Sequence, residues 1–144
     1  MPQYNPTMVD NYTVSGVMSS TTMVRLLIVE DNNDLRETIK QVLMSRLPLM
    51  TVFEACNAEE AEAIINRQEL DAILTDLKLP GNGGLWLTER TKSKQPQLPI
   101  IINSCLDSAE YRVAALQLGA DYFLSKKENS LNDVVRIIKS ISTA

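Results

Sequence analysis

The chain contains no histidine. That removes the commonest general base near neutral pH, a frequent metal ligand and any phosphohistidine role. Its two cysteines, Cys56 and Cys105, are too few for a disulfide framework or a thiolate-ligated metal site. No apolar run approaches the roughly 18 residues of a membrane span. The first 24 residues hold no Lys or Arg and no continuous apolar block, which argues against a secretory leader. A cytoplasmic location is expected. Positive charge is also short: 14 basic against 18 acidic residues leave a net charge of −4 and a pI near 4.8. Broad nucleic-acid binding normally needs a basic face, so direct contact with nucleic acid is not expected, and neither is a membrane. Whatever chemistry occurs must run on carboxylates, hydroxyls and lysine.

The 144 residues, 44% hydrophobic and 22% charged, suit one soluble domain with a single well-buried core. No internal repeat interrupts them. Residues 1–23 are polar, carry Pro2 and Pro6, and have Asp10 as their only charge, the composition of a loosely attached arm. Residues 24–142 form the expected domain. In it, short apolar runs alternate with helix-length segments. The runs are 26–29, 50–55, 72–75, 100–102 and 122–124. Such runs read as strands of a parallel sheet buried on both faces. The helical patterns fall near 34–45, 58–68, 85–93, 108–118 and from Ser130 to the end. Asn57 with Glu60 resembles a capping box, and Gly119 suits a helix terminator. Alternating βα units imply right-handed crossovers and a five-stranded, doubly wound, flavodoxin-like sheet of order 2-1-3-4-5 with five helices.

Four of the five runs end in residues that can bind or transfer phosphate. The first leads into Glu30-Asp31, the third into Asp76, the fourth through Asn103 to Ser104, and the fifth through Ser125 to Lys126. Ligands of open α/β sheets bind at the carboxyl ends of the strands, and the predicted order gathers these residues there. An acidic pair after a strand is, in isolation, more often a solvated loop than a metal site. Three carboxylates beside a single lysine change that balance, because their repulsion calls for a divalent cation. Oxygen ligands and retained waters suit Mg²⁺, with Mn²⁺ as a substitute. A carboxylate next to Mg²⁺ and an ammonium is also a nucleophile toward phosphorus. The product would be an aspartyl phosphate on Asp76. Gly81, Gly83 and Gly84 lack nucleotide-loop spacing and read as turn and helix-entry residues. Cys56 and Cys105 read as small buried thiols.

From about Val24 to Ser142 the chain resembles the receiver domain of bacterial response regulators, the chemotaxis-regulator type of two-component signalling protein. The resemblance rests on Leu-Leu-Ile-Val-Glu-Asp (26–31), Thr-Asp-Leu-Lys-Leu-Pro-Gly-Asn-Gly-Gly-Leu (75–85), Pro-Ile-Ile-Ile-Asn-Ser (99–104) and Gly-Ala-Asp-Tyr-Phe-Leu-Ser-Lys (119–126). It implies that Asp76 is the phosphoacceptor and Asp31 a direct Mg²⁺ ligand. Glu30 would act largely through water, and the Lys78 carbonyl would complete the protein ligands. Ser104 would hydrogen-bond the phosphoryl group, Lys126 would pair with it, and Phe123 would be the aromatic that moves on activation. Three positions depart from the pattern. Lys127 stands where a proline, often cis, is usual; Asn103 replaces an apolar residue; Cys105 replaces a small alanine.

The expected function is a phosphorylation-switched module fed by a histidine kinase or histidine phosphotransfer protein. Its only catalysis would be its own phosphorylation and dephosphorylation. Tyr111 and Ile137 are candidate residues of a face formed by the fourth helix, fifth strand and last helix, for an output protein or for self-association. Because the sequence stops just after the last helix, a stand-alone receiver is expected. The regulatory portion of a DNA-binding response regulator is the alternative. A haloacid-dehalogenase-like phosphatase ranks lower. It would need a second aspartate two residues after the nucleophile, where Lys78 stands, and there is no room for a cap domain.

Overall fold

A computed structural model describes residues 23–142; the proposed arm therefore lies outside the described residues, Met23 excepted. Ten elements alternate strictly. They are β1 (Val24–Val29), α1 (Asn33–Arg46), β2 (Met50–Ala55), α2 (Ala58–Arg67), β3 (Ala72–Thr75), α3 (Gly84–Lys94), β4 (Ile100–Ser104), α4 (Ala109–Gln117), β5 (Tyr122–Ser125) and α5 (Leu131–Ser142). All strand pairs are parallel, in the order β2-β1-β3-β4-β5. This is the doubly wound arrangement expected from the sequence.

Strand alternation divides the core in two. Leu27, Val29, Ile73, Ile100, Ile102 and Phe123 pack toward α2, α3 and α4. Leu26, Ile28, Leu74 and Ile101 pack toward α1 and α5, where they meet Ile39, Leu43, Val134 and Ile138. Both faces are covered, which is why the strands read as apolar runs rather than alternating ones.

The helices begin where side chains can satisfy their first amides. Asn32, Asn57 and Ser108 accept from Leu35, Glu60 and Tyr111. In the predicted capping box at α2, Glu60 returns its carboxylate to the amide of Cys56 at 2.7 Å, one residue before the cap. Helix α3 instead starts on glycine, because its backbone meets the end of β3. A Cβ at Gly84 would lie 2.3 Å from the Asp76 carbonyl and 2.8 Å from Leu77 Cα. Gly84→Ala should therefore shift the segment that carries Asp76 and cost about 1–3 kcal/mol through overpacking. Urea unfolding checks it; a midpoint equal to wild type would show that the loop yields freely.

Helix α4 falls within the expected 108–118, and Tyr111 is exposed, as a residue of a partner face requires. Ala109 and Leu116 are exposed as well, and only Ala115 is buried, so no aliphatic stripe faces the core. Arg112 takes the inward position instead, its guanidinium 4.7 Å from the Phe123 ring centroid. Cys105 is likewise exposed rather than buried, while Cys56 is half-buried.

Candidate functional site

Parallel register fixes the site. Val29 pairs with Thr75, so Glu30 and Asp76 leave adjacent strands side by side. On the other side of β3, Thr75 pairs with Ile102, two residues before Ser104, and Ser104 pairs with Ser125. Lys126, the next residue, reaches back across the sheet edge. Its Nζ donates to Glu30 Oε1 and to Asp76 Oδ2, each at 2.8 Å.

The remaining carboxylate oxygens are held by backbone. Asp76 Oδ1 accepts from the Leu77 amide at 2.7 Å and the Lys78 amide at 3.3 Å. Glu30 Oε2 accepts from the Asn32 amide at 3.2 Å. The Glu30 side chain is only 5% exposed, against 11% for Asp76 and 17% for Lys126. Burial pushes the Glu30 carboxyl above its ordinary value, with the Lys126 hydrogen bond opposing. Burial alone would lower the Lys126 ammonium, but its hydrogen bonds to Asp76 and Glu30 outweigh it and hold the ammonium above its usual value. The lysine therefore stays charged.

Asp31 differs from both. It is exposed, and among the described residues no hydrogen bond or ion pair engages its carboxylate. Its neighbour Glu30 is pinned from behind: Arg36 Nη1 donates to the Glu30 carbonyl at 2.7 Å and Nε to Glu54 at 3.0 Å. Among the described residues no three Asp, Glu, Cys or His side chains converge as a ready metal cage. The donor set that fits a hard cation is smaller. It comprises the unpartnered Asp31 carboxylate, Asp76 and the carbonyl of exposed Lys78, with water for the rest, as Mg²⁺ tolerates.

Ser104 is fully buried, and its Oγ accepts from the Leu106 amide at 3.0 Å. Phe123, 8% exposed, lies under Arg112, whose Nη1 also donates to the Phe123 carbonyl at 3.1 Å. No peptide bond among the described residues is cis. At the position where proline is usual, the Lys127 amide donates to Ser125 Oγ at 3.1 Å, and Ser125 Oγ donates to Asp107 at 2.6 Å. That hydroxyl draws the Asp107 carboxyl below its ordinary range and ties the loop after β4 to the loop after β5.

Sequence similarity agrees with this geometry. The family model described as the response regulator receiver domain matches residues 26–139. The chain belongs to that family. Among curated proteins, this receiver domain is 32% identical over 120 residues to the response regulator protein PilR of Pseudomonas aeruginosa, covering 83% of this chain and 26% of PilR. It is 30% identical over 115 residues to the DNA-binding transcriptional regulator NtrC of Salmonella typhimurium, covering 80% of this chain and 24% of NtrC. It thus spans about a quarter of the length of each of these relatives. Among solved structures, a CheY-like receiver domain protein from Methanospirillum hungatei superposes with a TM-score of 0.77 at 29% identity. That match covers 85% of this chain and 95% of the other. The non-phosphorylated HemR receiver domain of Leptospira biflexa gives 0.74 at 28% identity, over 84% and 95% of the two chains. Receiver domains are signalling modules of two-component systems.

Apart from Phe123, packed under Arg112, the receiver's predicted site residues fall into two groups. Glu30, Asp76 and Lys126 are in direct contact, with Asp31, Lys78 and Ser104 at the same sheet edge. Tyr111 and Ile137 lie away from it. Tyr111 is 40% exposed on α4, whereas Ile137 is half-buried against the α1–α5 side of the core. No helix among the described residues is long and apolar enough to cross a membrane. Arg36, Arg112 and the Asp107–Ser125 pair carry no signal in the sequence, because each acts on a partner supplied by a different loop or element.

Proposed function

We propose that this receiver domain accepts a phosphoryl group on Asp76, with Mg²⁺ held by Asp31, Asp76 and the Lys78 carbonyl. Mn²⁺ serves in its place. The donor is a histidine kinase or a histidine phosphotransfer protein. One observation carries the reading: Lys126 touches both Glu30 and Asp76 at 2.8 Å, while the adjacent Asp31 carboxylate engages no other residue described. The cation and ammonium supply the charge neutralisation that in-line phosphoryl transfer needs. Lys126 shifts from a carboxylate oxygen to a phosphoryl oxygen, and Ser104 Oγ donates to another. Drawing Ser104 toward the phosphoryl group moves the loop after β4, and Phe123 then rearranges beneath α4. A ligand shifts a two-state equilibrium only through such differential contacts.

The output of the switch is a protein contact. Exposed Tyr111 on α4 and half-buried Ile137 on α5 support a partner or self-association face on α4, β5 and α5. A receiver joined to a DNA-binding output domain is the second reading, favoured by the similarity to NtrC; the native reading frame past Ala144 decides it.

The test is incubation with a small acyl phosphate, followed by intact-mass spectrometry. Wild type should gain one base-labile phosphoryl group with Mg²⁺ and none with chelator. Asp31→Asn should need at least about tenfold more Mg²⁺, since it loses the one freely available charged ligand, whereas Ser104→Ala should keep the wild-type Mg²⁺ requirement. Equal requirements in the two variants would place the metal elsewhere.

A further inference from the structure

The hydrogen-bond count around Lys126 is incomplete. An ammonium has three donors, and two are spent on Glu30 and Asp76. The third has no acceptor among the described residues. Asn103, the residue before Ser104, presents the complementary deficit. It is 9% exposed, and none of the described residues hydrogen-bonds its carboxamide. A buried carboxamide without partners is costly and calls for an explanation. Between these groups lies a cavity of about 10 Å³ lined by Glu30, Asp76, Asn103 and Lys126, with Ile28, Ile39 and Leu74 closing the core side. That is about the space of one water molecule, and the site offers the two to four polar partners that a buried water requires.

We propose that Asn103 is a positioning residue for Lys126, acting through one buried water that accepts from the lysine and donates to Asn103 Oδ1 and to Glu30. The chain's departure from an apolar residue at this position then has a use. Asn103 lies on the same face of β4 as Ile101, toward α1 and α5, and so approaches the catalytic lysine from beneath the sheet edge. Asn103 is not among the residues proposed above to hold the metal or the phosphoryl group. Its effect falls on how firmly the ammonium is held where the phosphoryl oxygens arrive. The argument rests on the role proposed above for Lys126.

Asn103→Val deletes the water's anchor while keeping the β-strand and the apolar surroundings. Asn103→Thr differs from it by a single hydroxyl and can keep the water; Asn103→Ala repeats the deletion should the valine variant not fold. Two measurements are made. One is the rate of phosphoryl adduct formation at saturating acyl phosphate, with the half-saturating Mg²⁺ and donor concentrations. The other is the exchange-protected ¹⁵N–¹H signal of the Lys126 ammonium, recorded without donor. The deletion variants should lose the ammonium signal and react about fivefold more slowly, as one lost hydrogen bond implies, with both half-saturating concentrations unchanged. Asn103→Thr should recover the signal and most of the rate. A deletion variant with wild-type rate and a protected ammonium overturns the proposal. So does equal slowing in deletion and threonine variants with the ammonium unaffected, which would be a packing effect. If wild type took no phosphoryl group, the proposed function would fall, and the ammonium signal would still decide the link between Asn103 and Lys126.

Discussion

Asp76→Asn should give a folded receiver that acquires no phosphoryl adduct from an acyl phosphate, with or without Mg²⁺. The three carboxylates of the site are not interchangeable. Glu30 is 5% exposed, with one oxygen on Lys126 and the other on the Asn32 amide, so phosphorus has no open line to it. Asp31 is open but touches no cation of the protein, and a phosphoryl group there would lack Lys126. Asp76 alone combines partial exposure with a direct ammonium contact and backbone amides that fix its carboxylate. Asparagine keeps the shape and the Leu77 and Lys78 amide contacts through its carbonyl oxygen. It replaces the nucleophilic oxygen by a nitrogen that does not attack phosphorus. Intact mass after donor treatment is the measurement. An adduct that persists in the variant would move the acceptor to another residue.

The same comparison shows what sequence could carry. Strands and site were legible together, because a parallel sheet buried on both faces writes its strands as apolar runs and its ligand edge as the residue that ends each run. Glu30, Asp76, Ser104 and Lys126 follow from that rule and the strand order alone. The extent of helix α4 was legible, but which of its faces turns inward was not. Its exposed Tyr111, Val113 and Leu116 leave no apolar stripe to orient it, and the inward Arg112 is stabilised by the Phe123 ring and carbonyl rather than by burial of an aliphatic chain. Loop-to-loop contacts were equally hidden. Glu59 on α2 accepts from the Asn82 side chain at 2.5 Å, steadying the loop that follows Asp76, and nothing in the spacing of 59 and 82 announces it. The Lys126–Lys127 bond stood out as a departure from the family pattern. Its resolution, a trans peptide whose amide bonds Ser125 Oγ, required the position of Asp107 across the gap.

Lys126→Ala should make the fold itself dependent on Mg²⁺. In wild type the ammonium lies between two poorly solvated carboxylates, 2.8 Å from each. Removing it leaves Glu30 and Asp76 facing one another, and breaking a buried ion pair from one side costs up to about 3–5 kcal/mol. Two responses limit that loss. The first is protonation of Glu30, whose carboxyl burial already raises above its ordinary value, with Lys126 as the main opposing influence. A carboxyl raised on folding binds more protons folded than unfolded, so stability falls as pH climbs through the ordinary carboxyl range toward the folded value. Without Lys126 that window extends to higher pH, and the variant should be weaker at about pH 8 than at about pH 5 by more than wild type is. The second response is a cation bound at Asp31 and Asp76, which replaces the missing charge. At a hundredfold excess over its dissociation constant it returns about 2.7 kcal/mol. Thermal unfolding with chelator and with Mg²⁺ at both pH values measures each response. The gap between the two curves should be wider in Lys126→Ala than in wild type, and widest at the higher pH. Equal gaps would mean that the lysine does not relieve carboxylate repulsion, and that its place at the site is set by phosphoryl contact alone.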